Sequence, residues 1–429
     1  MLGRKQIGVI AIAIALLMAT ATEIVPPLAQ ADTGLDADQL VEIAIETNPQ
    51  VRAMRAQWDQ AQHQILQNYA PADPIFTYSN VDASHGLLNH AAAHSHQLSE
   101  NFQFPGKALL QADQAKRTAT IARFAYDAAI RDLRASVETS YYQILLDGAL
   151  IEVNANNIGN LQQVLKVTET AYSGSQVSQT DFITAEVNLA QAQLQQRQYQ
   201  VNQANDVTAL NQLLYRDPDS PFALDRTLRV DRMKVALTAA VDMAFRMRQE
   251  ILEAALTERN QNTALELAKF EYVPDYQVAF SYDQFLQSGA QPLVTVTHGE
   301  TLSIGFNVPV FFWIHQREDV KSAQYALEAA RSNLSLIRSQ TAATVTQIFR
   351  STQFAYESAQ LYKDSLIPLA NQDFKVALIA YQSNKIDFLT LSTALQASYT
   401  TRIGYLQTSN QFLAGQVALE QAIGASLPK

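Results

Sequence analysis

The sequence predicts a mainly helical chain with a small β part, made of two copies of one helix–hairpin–helix unit. Three observations predict this. The 429 residues include only 14 Gly and 13 Pro, with Ala and Gln abundant, and Gly and Pro are what interrupt helices. Apolar residues recur at heptad spacing over very long stretches. And the chain repeats itself at about half its length, far beyond the ~20–50 residues of a solenoid repeat.

Residues 171–215 occur twice. Ala171-Tyr172 opens one copy and Ala380-Tyr381 the other, 209 positions on. At that offset Val177 meets Ile386, Ala185 meets Ala394, Leu210 meets Leu419 and Leu214 meets Ile423. Upstream, Val51 faces Ile251, Ile65 faces Leu265 and Pro74 faces Pro274 at an offset of 200. Phe104-Pro105 faces Val308-Pro309 at 204, and Val137 faces Val345 at 208. This drift is that of a duplicated unit with small insertions. It divides the chain into 1–31, a first repeat 32–216, a linker 217–232 and a second repeat 233–429.

The elements follow in order. Arg4 and Lys5, an apolar run over 7–19 and the small-x-small Ala29-Gln30-Ala31 read as a secretory signal ending at residue 31. The apolar run is shorter than the ~20 residues of a membrane span. Asp36 or Asp38 can cap a helix reaching Tyr69, with a kink or restart at Asn48-Pro49, because proline disfavours helical geometry before it. Residues 74–82 and 95–104 read as strands. Leu98, Phe102 and Phe104 alternate with polar neighbours, and Glu100 breaks the apolar side. The second copy, over 275–284 and 300–309, is cleaner: Leu302, Ile304, Phe306 and Val308 alternate with Thr301, Ser303, Gly305 and Asn307. Hairpin loops are expected at 83–94 and 285–299.

A very long helix follows each hairpin. Ala108, Ala112, Ala115, Ala119, Ala122, Tyr126, Ala129, Leu133, Val137, Ser140 and Ile144 step by four and three, as do Val320, Ala323, Leu327, Ala330, Leu334, Ile337, Thr341, Thr344 and Ile348. This is the seam at which helices pack knobs into holes. Continued to each Ala-Tyr, such a helix is about 100 Å long at 1.5 Å per residue. Turns at 172–179 and 381–386 reverse the chain, with Ser173, Gly174, Ser175, Ser383 and Asn384 supplying turn chemistry. Shorter helices return over 180–214 and 388–424, and Asp217-Pro218-Asp219-Ser220-Pro221 marks the linker.

Strands of roughly 9–11 residues are long enough to cross an outer membrane when tilted. Four strands cannot close a barrel, and open edges are not tolerated in lipid. If the strands lie in membrane, two chains give 8 strands and three give 12. Phe311, Phe312 and Trp313 are placed to join an aromatic girdle. The alternative is a soluble sheet domain capping a coiled coil.

At this point the chain resembles the TolC-like outer-membrane efflux proteins over essentially its whole mature length. The resemblance rests on the duplication, the helix–hairpin–helix order and two local motifs. Gln103-Phe104-Pro105-Gly106-Lys107 resembles the strand exit of the CzcC-like, cation and heavy-metal branch. The turns from Tyr172 to Asp181 and from Tyr381 to Asp387 resemble the family's helical turns. The resemblance implies a long antiparallel α-helical barrel plus four strands per chain that complete a 12-strand transmembrane β-barrel in a homotrimer. It implies a periplasmic tip that meets an adaptor protein and, through it, an inner-membrane transporter. Tyr172, Gly174, Asp181, Tyr381, Ser383 and Asn384 would then form the tip. The family's aperture acids fall on Thr390 and Thr393 here, and Asp387, one turn earlier, is a substitute. Asp181 and Asp387 also read as ordinary acids at helix starts.

No enzyme is expected. There is no Cys, no glycine-rich phosphate loop and no nucleophile motif, so no cofactor is expected either. The net charge of −10 argues against nucleic acid, which needs clustered cations. His85, His90, His94 and His96 crowd one hairpin loop and its exit, and His298 closes the other. They read as either metal ligands or a solvated loop. The favoured function is a passive efflux duct, with heavy-metal cations ahead of drugs or secreted proteins. A trimeric coiled-coil structural protein or adhesin is the rival.

Overall fold

The computed structural model of the chain describes residues 34–80, 92–221, 224, 231–288 and 294–427. The expected signal, His85, His90 and half of the linker lie outside them. The elements come in two runs of one order. The first is α1 (Ala37–Thr47), α2 (Pro49–Tyr69), β1 (Ile75–Asn80), β2 (Ala92–Phe102), α3 (Pro105–Ser173) and α4 (Gln179–Leu213). The second is α5 (Leu237–Met247), α6 (Gln249–Phe270), β3 (Tyr276–Ser288), β4 (Val294–Phe306), α7 (His315–Leu361), a π-helical turn Tyr362–Leu366, α8 (Ile367–Gln382) and α9 (Phe388–Ile423). Among the described residues no helix is long and apolar enough to cross a membrane.

Local chemistry sets the boundaries. Asp36 accepts from the Gln39 N–H at 2.8 Å, and the Gln39 side chain accepts from the Asp36 N–H at 3.1 Å, a reciprocal cap on α1. Asn48 leaves helical geometry (φ −69°, ψ 122°) because Pro49 follows, and its side chain caps α2 through the Gln50 N–H at 2.8 Å. Arg248 makes the same break 200 residues on, with φ −66° and ψ 122°. The cores repeat too. Leu40, Ala44, Val137, Leu210 and Leu214 share one cluster. Their counterparts Ala240, Ala244, Val345, Leu419 and Ile423 share another, and all ten are fully buried. Each buried Leu, Ile or Val contributes roughly 1.5–3 kcal/mol, so both copies hold themselves together by the same contacts.

The four strands form one antiparallel sheet in the order β1-β2-β3-β4, leaving the outer edges of β1 and β4 unpaired within the chain. The strands begin and end a few residues from expectation, chiefly because pairing runs further into the hairpins. His94 therefore lies within β2 and His298 within β4 rather than in loops, and His96 lies in β2 as its expected strand has it. Register sorts the side chains onto two faces, since alternate residues point oppositely. Phe76, Leu98, Phe280 and Leu302 align in one row; Tyr78, His96, Tyr282 and Glu300 form the next on the same face. That face is outward: Phe280 is 46% and Leu302 70% exposed. The other face carries Thr77, Ser95, Gln97, Ser99, Ala279, Ser281, Thr301 and Ser303, with Ser99 at 8% and Ala279 at 5%. Its side chains are small, and it is covered only at the centre of the sheet, since Thr77, Thr301 and Ser303 on the edge strands are exposed.

The strand-exit motif is the joint between sheet and helices. Pro105 is the first residue of α3, and a Cβ on Gly106 would sit 3.1 Å from the Phe270 ring. Lys107 is 2% exposed, and its Nζ lies 3.0 Å from Asp275 Oδ1 and 3.4 Å from Glu271 Oε2. The same Asp275 oxygen accepts from the Phe104 N–H at 2.9 Å, and Asn307 Oδ1 accepts from the Asp275 N–H at 2.8 Å. Asp275 thus ties α3 through its carboxylate, and the exit of β4 through its backbone N–H, to the start of β3. In the second copy Pro309 opens no helix; α7 waits until His315, and Phe311, Phe312 and Trp313 form an exposed edge-to-face cluster between them.

α3 runs 69 residues without a break, as its seam predicts. Ala112, Ala119, Leu133, Val137 and Ile144 are buried, and the other seam positions half-buried. The second limb departs from expectation. Thr344 is exposed and Val345 takes the buried position. Lower down, the helix passes through the π turn before Pro368. The Tyr362 ring of that turn lies over Gly404 of α9, where a Cβ would be 2.7 Å from its hydroxyl. Gly415 likewise faces Thr352.

Helix pairing follows one sequence around the molecule. α3 packs against α4 and α9, and α9 against α8; nearer the sheet, α3 packs against α2 and α6, and α6 against α7. α2 and α4 therefore flank one side of the chain with β1, and α7 and α8 flank the other with β4.

Candidate functional site

The end of the helices opposite the sheet carries the turns the sequence singled out. In the first, Ser175 N–H donates to Tyr172 O and Gln176 N–H to Ala171 O, both at 2.8 Å. In the second, Asn384 N–H donates to Tyr381 O at 3.0 Å and Lys385 N–H to Ala380 O at 2.9 Å. The left-handed residues are Ser175 (φ 57°) and Asn384 (φ 54°), 209 apart like the tyrosines. Gly174 is not one of them. Its φ is −83°, and a Cβ there would meet only ordinary contacts at 3.6 Å, so the conformational demand expected of it falls on Ser175.

The two turns meet. Asn384 Nδ2 donates to Gln176 Oε1 at 3.2 Å, and Val177 and Ile386 pack on one shared cluster with Leu161, Val164, Ala185, Phe388 and Leu391. The tyrosines are not equivalent. Tyr381 is buried, edge-on to Phe388, and its hydroxyl donates to Thr168 Oγ1 at 3.4 Å. Burial raises its phenol above the ordinary value, so it stays a donor. Tyr172 is exposed and stacks on Phe182. Ser383 Oγ donates back to Ile379 O.

Both acids cap helices. Asp181 and Ser178 form a reciprocal pair at the start of α4, each side chain accepting from the other's N–H at 3.2 Å. Asp387 is the N-cap of α9 and accepts from the Thr390 N–H at 2.9 Å. Hydrogen bonds from Thr390 hold its carboxyl below the usual carboxylate range. Thr390 and Thr393 are exposed and uncharged. Thr393 lines a cleft of about 760 Å³ with Asn154, Asn188, Gln191, Tyr199 and Tyr399, an all-neutral polar wall. Behind it, buried Asn154 donates to Ala192 O and Gln196 Oε1 and accepts from Tyr399, joining α3, α4 and α9. Gln176, Thr168 and Asn154 escaped the sequence reading. Only the pairing of Ser175 with Asn384 in the repeat hinted at them.

The histidines sit at the far end of the molecule. Tyr78 Oη lies 3.1 Å from His94 Nδ1 and Tyr282 Oη 2.8 Å from His298 Nδ1, so a phenol engages each ring. All three described imidazoles of the sheet lie on the outward, apolar-rich face. Among the described residues no group of three His, Cys, Asp or Glu is placed to hold a metal ion.

This architecture has relatives. Residues 40–214 match the sequence profile described as outer membrane efflux protein. The first of the two copies therefore carries the sequence pattern of the outer membrane efflux protein family. Over 407 residues, 94% of each chain, the protein is 18% identical to the cobalt-zinc-cadmium resistance protein CzcC of Cupriavidus metallidurans. Its fold superposes on CusC with a TM-score of 0.78, at 14% identity, covering 93% of this chain and 96% of that one. A membrane protein from Pseudomonas aeruginosa gives 0.76, at 17% identity, over 93% and 97%. At these identities the structural likeness shows the fold.

Proposed function

We propose that three copies of this chain form a passive exit duct through the outer membrane, continued by a helical tube in the periplasm. The observation that carries this reading is that both flanks of the chain are unfinished along their whole height. β1 and β4 have bare edges. α4 shows an exposed stripe of Ile183, Val187, Leu194 and Val201, and α8 one of Leu369, Val376 and Ile379. Steps of seven, four and three are those of a coiled-coil seam awaiting its partner. Copies placed side by side join β4 to β1 and α8 to α4, and three give 12 strands. The outward face of Phe76, Leu98, Phe280 and Leu302 then meets lipid, and Phe311, Phe312 and Trp313 sit at the inner interface.

The tip turns reach furthest from the sheet and meet the adaptor of an inner-membrane transporter. The relation to CzcC supports heavy-metal cations as cargo ahead of drugs or secreted proteins. Native mass measurement on detergent-solubilised protein is expected to give a trimer; a stable monomer or dimer refutes the barrel. Cross-linkers at positions 174 and 383 are expected to capture an adaptor from the periplasmic side. Cells lacking the chain are expected to lose tolerance to cobalt, zinc or cadmium; loss of drug tolerance alone refutes the cargo.

A further inference from the structure

The sheet face that carries Ser99 and Ala279 is almost free of charge. By register it carries Ile75, Thr77 and Ser79 of β1, Ser95, Gln97, Ser99 and Asn101 of β2, and Gln277, Ala279 and Ser281 of β3. Gly299, Thr301, Ser303 and Gly305 of β4 complete it. Three ionisable side chains share this parity among the described strand residues and their flanks, and the first is Asp73, ahead of β1. Asp275, at the helical end, is ion-paired with buried Lys107 at 3.0 Å. The third is Asp283, well along β3 toward the hairpin end, for which no lysine or arginine partner is present among the described residues.

Asp283 is held in place. Ser95 Oγ donates to its Oδ1 at 2.5 Å and Ser281 Oγ to its Oδ2 at 3.2 Å, one from the neighbouring strand and one from its own. Each oxygen thus has a hydroxyl donor, which fixes the direction of the carboxylate. Its cross-strand neighbour on β4 is Gly299, which covers nothing. The surrounding Ser, Ala and Gly side chains are short, so this carboxylate is not screened by longer groups. The remaining acids of the sheet, Glu100 and Glu300, lie on the opposite, outward face.

We propose that Asp283 makes the barrel segment of the duct prefer cations. The proposal rests on the duct reading above and deepens it by naming the charge class of what passes. Three copies set three carboxylates at one level of an otherwise neutral, small-residue wall. Rings of acidic side chains select for cations by raising their local concentration and repelling anions. The tip offers no such ring at Thr390 and Thr393, so the selecting charge lies at the barrel end.

The test is reversal potential in planar bilayers under a potassium chloride gradient, using the full-length trimer. The wild type is expected to be cation-preferring, and Asp283→Asn to lower its potassium-over-chloride permeability ratio by about two-fold or more. Thr301→Lys adds a cation to the same face without touching the Asp283 hydrogen bonds, and is expected to lower the ratio likewise. Ser303→Ala is expected to leave it unchanged. A conducting Asp283→Asn or Thr301→Lys channel with the wild-type ratio overturns the proposal. A wild-type trimer that conducts nothing overturns the duct reading beneath it.

Discussion

Asp147 gives the sharpest energetic prediction. It sits on α3 at 2% exposure, among Ile144, Leu145, Leu146 and Leu150. Its Oδ1 has only a long contact from Gln143 Nε2 at 3.5 Å, and Oδ2 has no donor. Burial, and then the Asp206 carboxyl on α4 beside it, push its pKa from 3.8 to about 7. The folded chain therefore holds this proton more tightly than the unfolded one. The associated stability is whole below about pH 4, falls as pH rises toward about 7, and is level above. At roughly 1.4 kcal/mol per tenfold change in proton affinity, the ionised form carries about 4 kcal/mol of destabilisation at pH 8 and about 2 at pH 5. Asp147→Asn keeps the shape and removes the charge. It is expected to raise the thermal midpoint of helix loss, followed by circular dichroism, about twice as much at pH 8 as at pH 5. Asp206→Asn should recover only the smaller part, since it removes the neighbouring charge but leaves Asp147 buried, and the double variant should gain little over Asp147→Asn. A variant no more stable than wild type at pH 8, or a gain independent of pH, refutes the reasoning.

Four further outcomes follow from the geometry. Asp275→Asn strands buried Lys107 beside half-exposed Glu271, so it is expected to lower the thermal midpoint more than Lys107→Met, which leaves its two carboxylates partly in water; breaking such a pair typically costs ~3–5 kcal/mol when the survivor is buried. Gly404→Leu drives a side chain into Tyr362 and is expected to reduce trimer yield on native gels, with Tyr362→Ala in the same chain restoring it. Ser175→Gly and Asn384→Gly relieve left-handed strain of about 1–2 kcal/mol each, the serine change more, and slower hydrogen exchange at the turns is the readout. His94→Ala with His96→Ala is expected to leave metal tolerance intact, because both lie on the face opposite Ser99 and Ala279; a loss of tolerance with normal trimer yield contradicts that.

Much of this was legible in the sequence because duplication supplied two readings of each element. The break at Asn48 was written in Pro49, and Arg248 shows that the packing demands it even without proline. The paired core positions Val137 and Val345, and Leu214 and Ile423, needed only the offset. What was hidden depended on pairing partners. His94 looked like loop because its segment is polar. Strand pairing with Asn80 and Gln284, not local propensity, extends β2 through it. Gly174 looked like the turn's pivot because glycine is the usual left-handed residue, yet the hydrogen bonds of the turn place that conformation one residue later. The tip network of Gln176, Asn384, Thr168 and Tyr381 joins residues over 200 positions apart, which periodicity within one segment cannot reveal.

The π turn deserves a last consequence. Between Val137/Val345 and Ser175/Asn384 the offset of the two copies changes from 208 to 209, so the limbs differ by a single residue there. In ordinary α-helix one extra residue rotates everything beyond it by about 100°. That would swing the buried side of α8 into solvent and part the two turns. Tyr362–Leu366 takes up the surplus within one wide coil, and the phase below it is restored. The limb is therefore tolerant of length change at this place and intolerant elsewhere along it. Removing one residue from the wide coil should leave a plain helix whose lower half faces as before, whereas the same deletion a few turns away should scramble the tip. A copying event that left two limbs of unequal length could survive because the mismatch had somewhere harmless to accumulate.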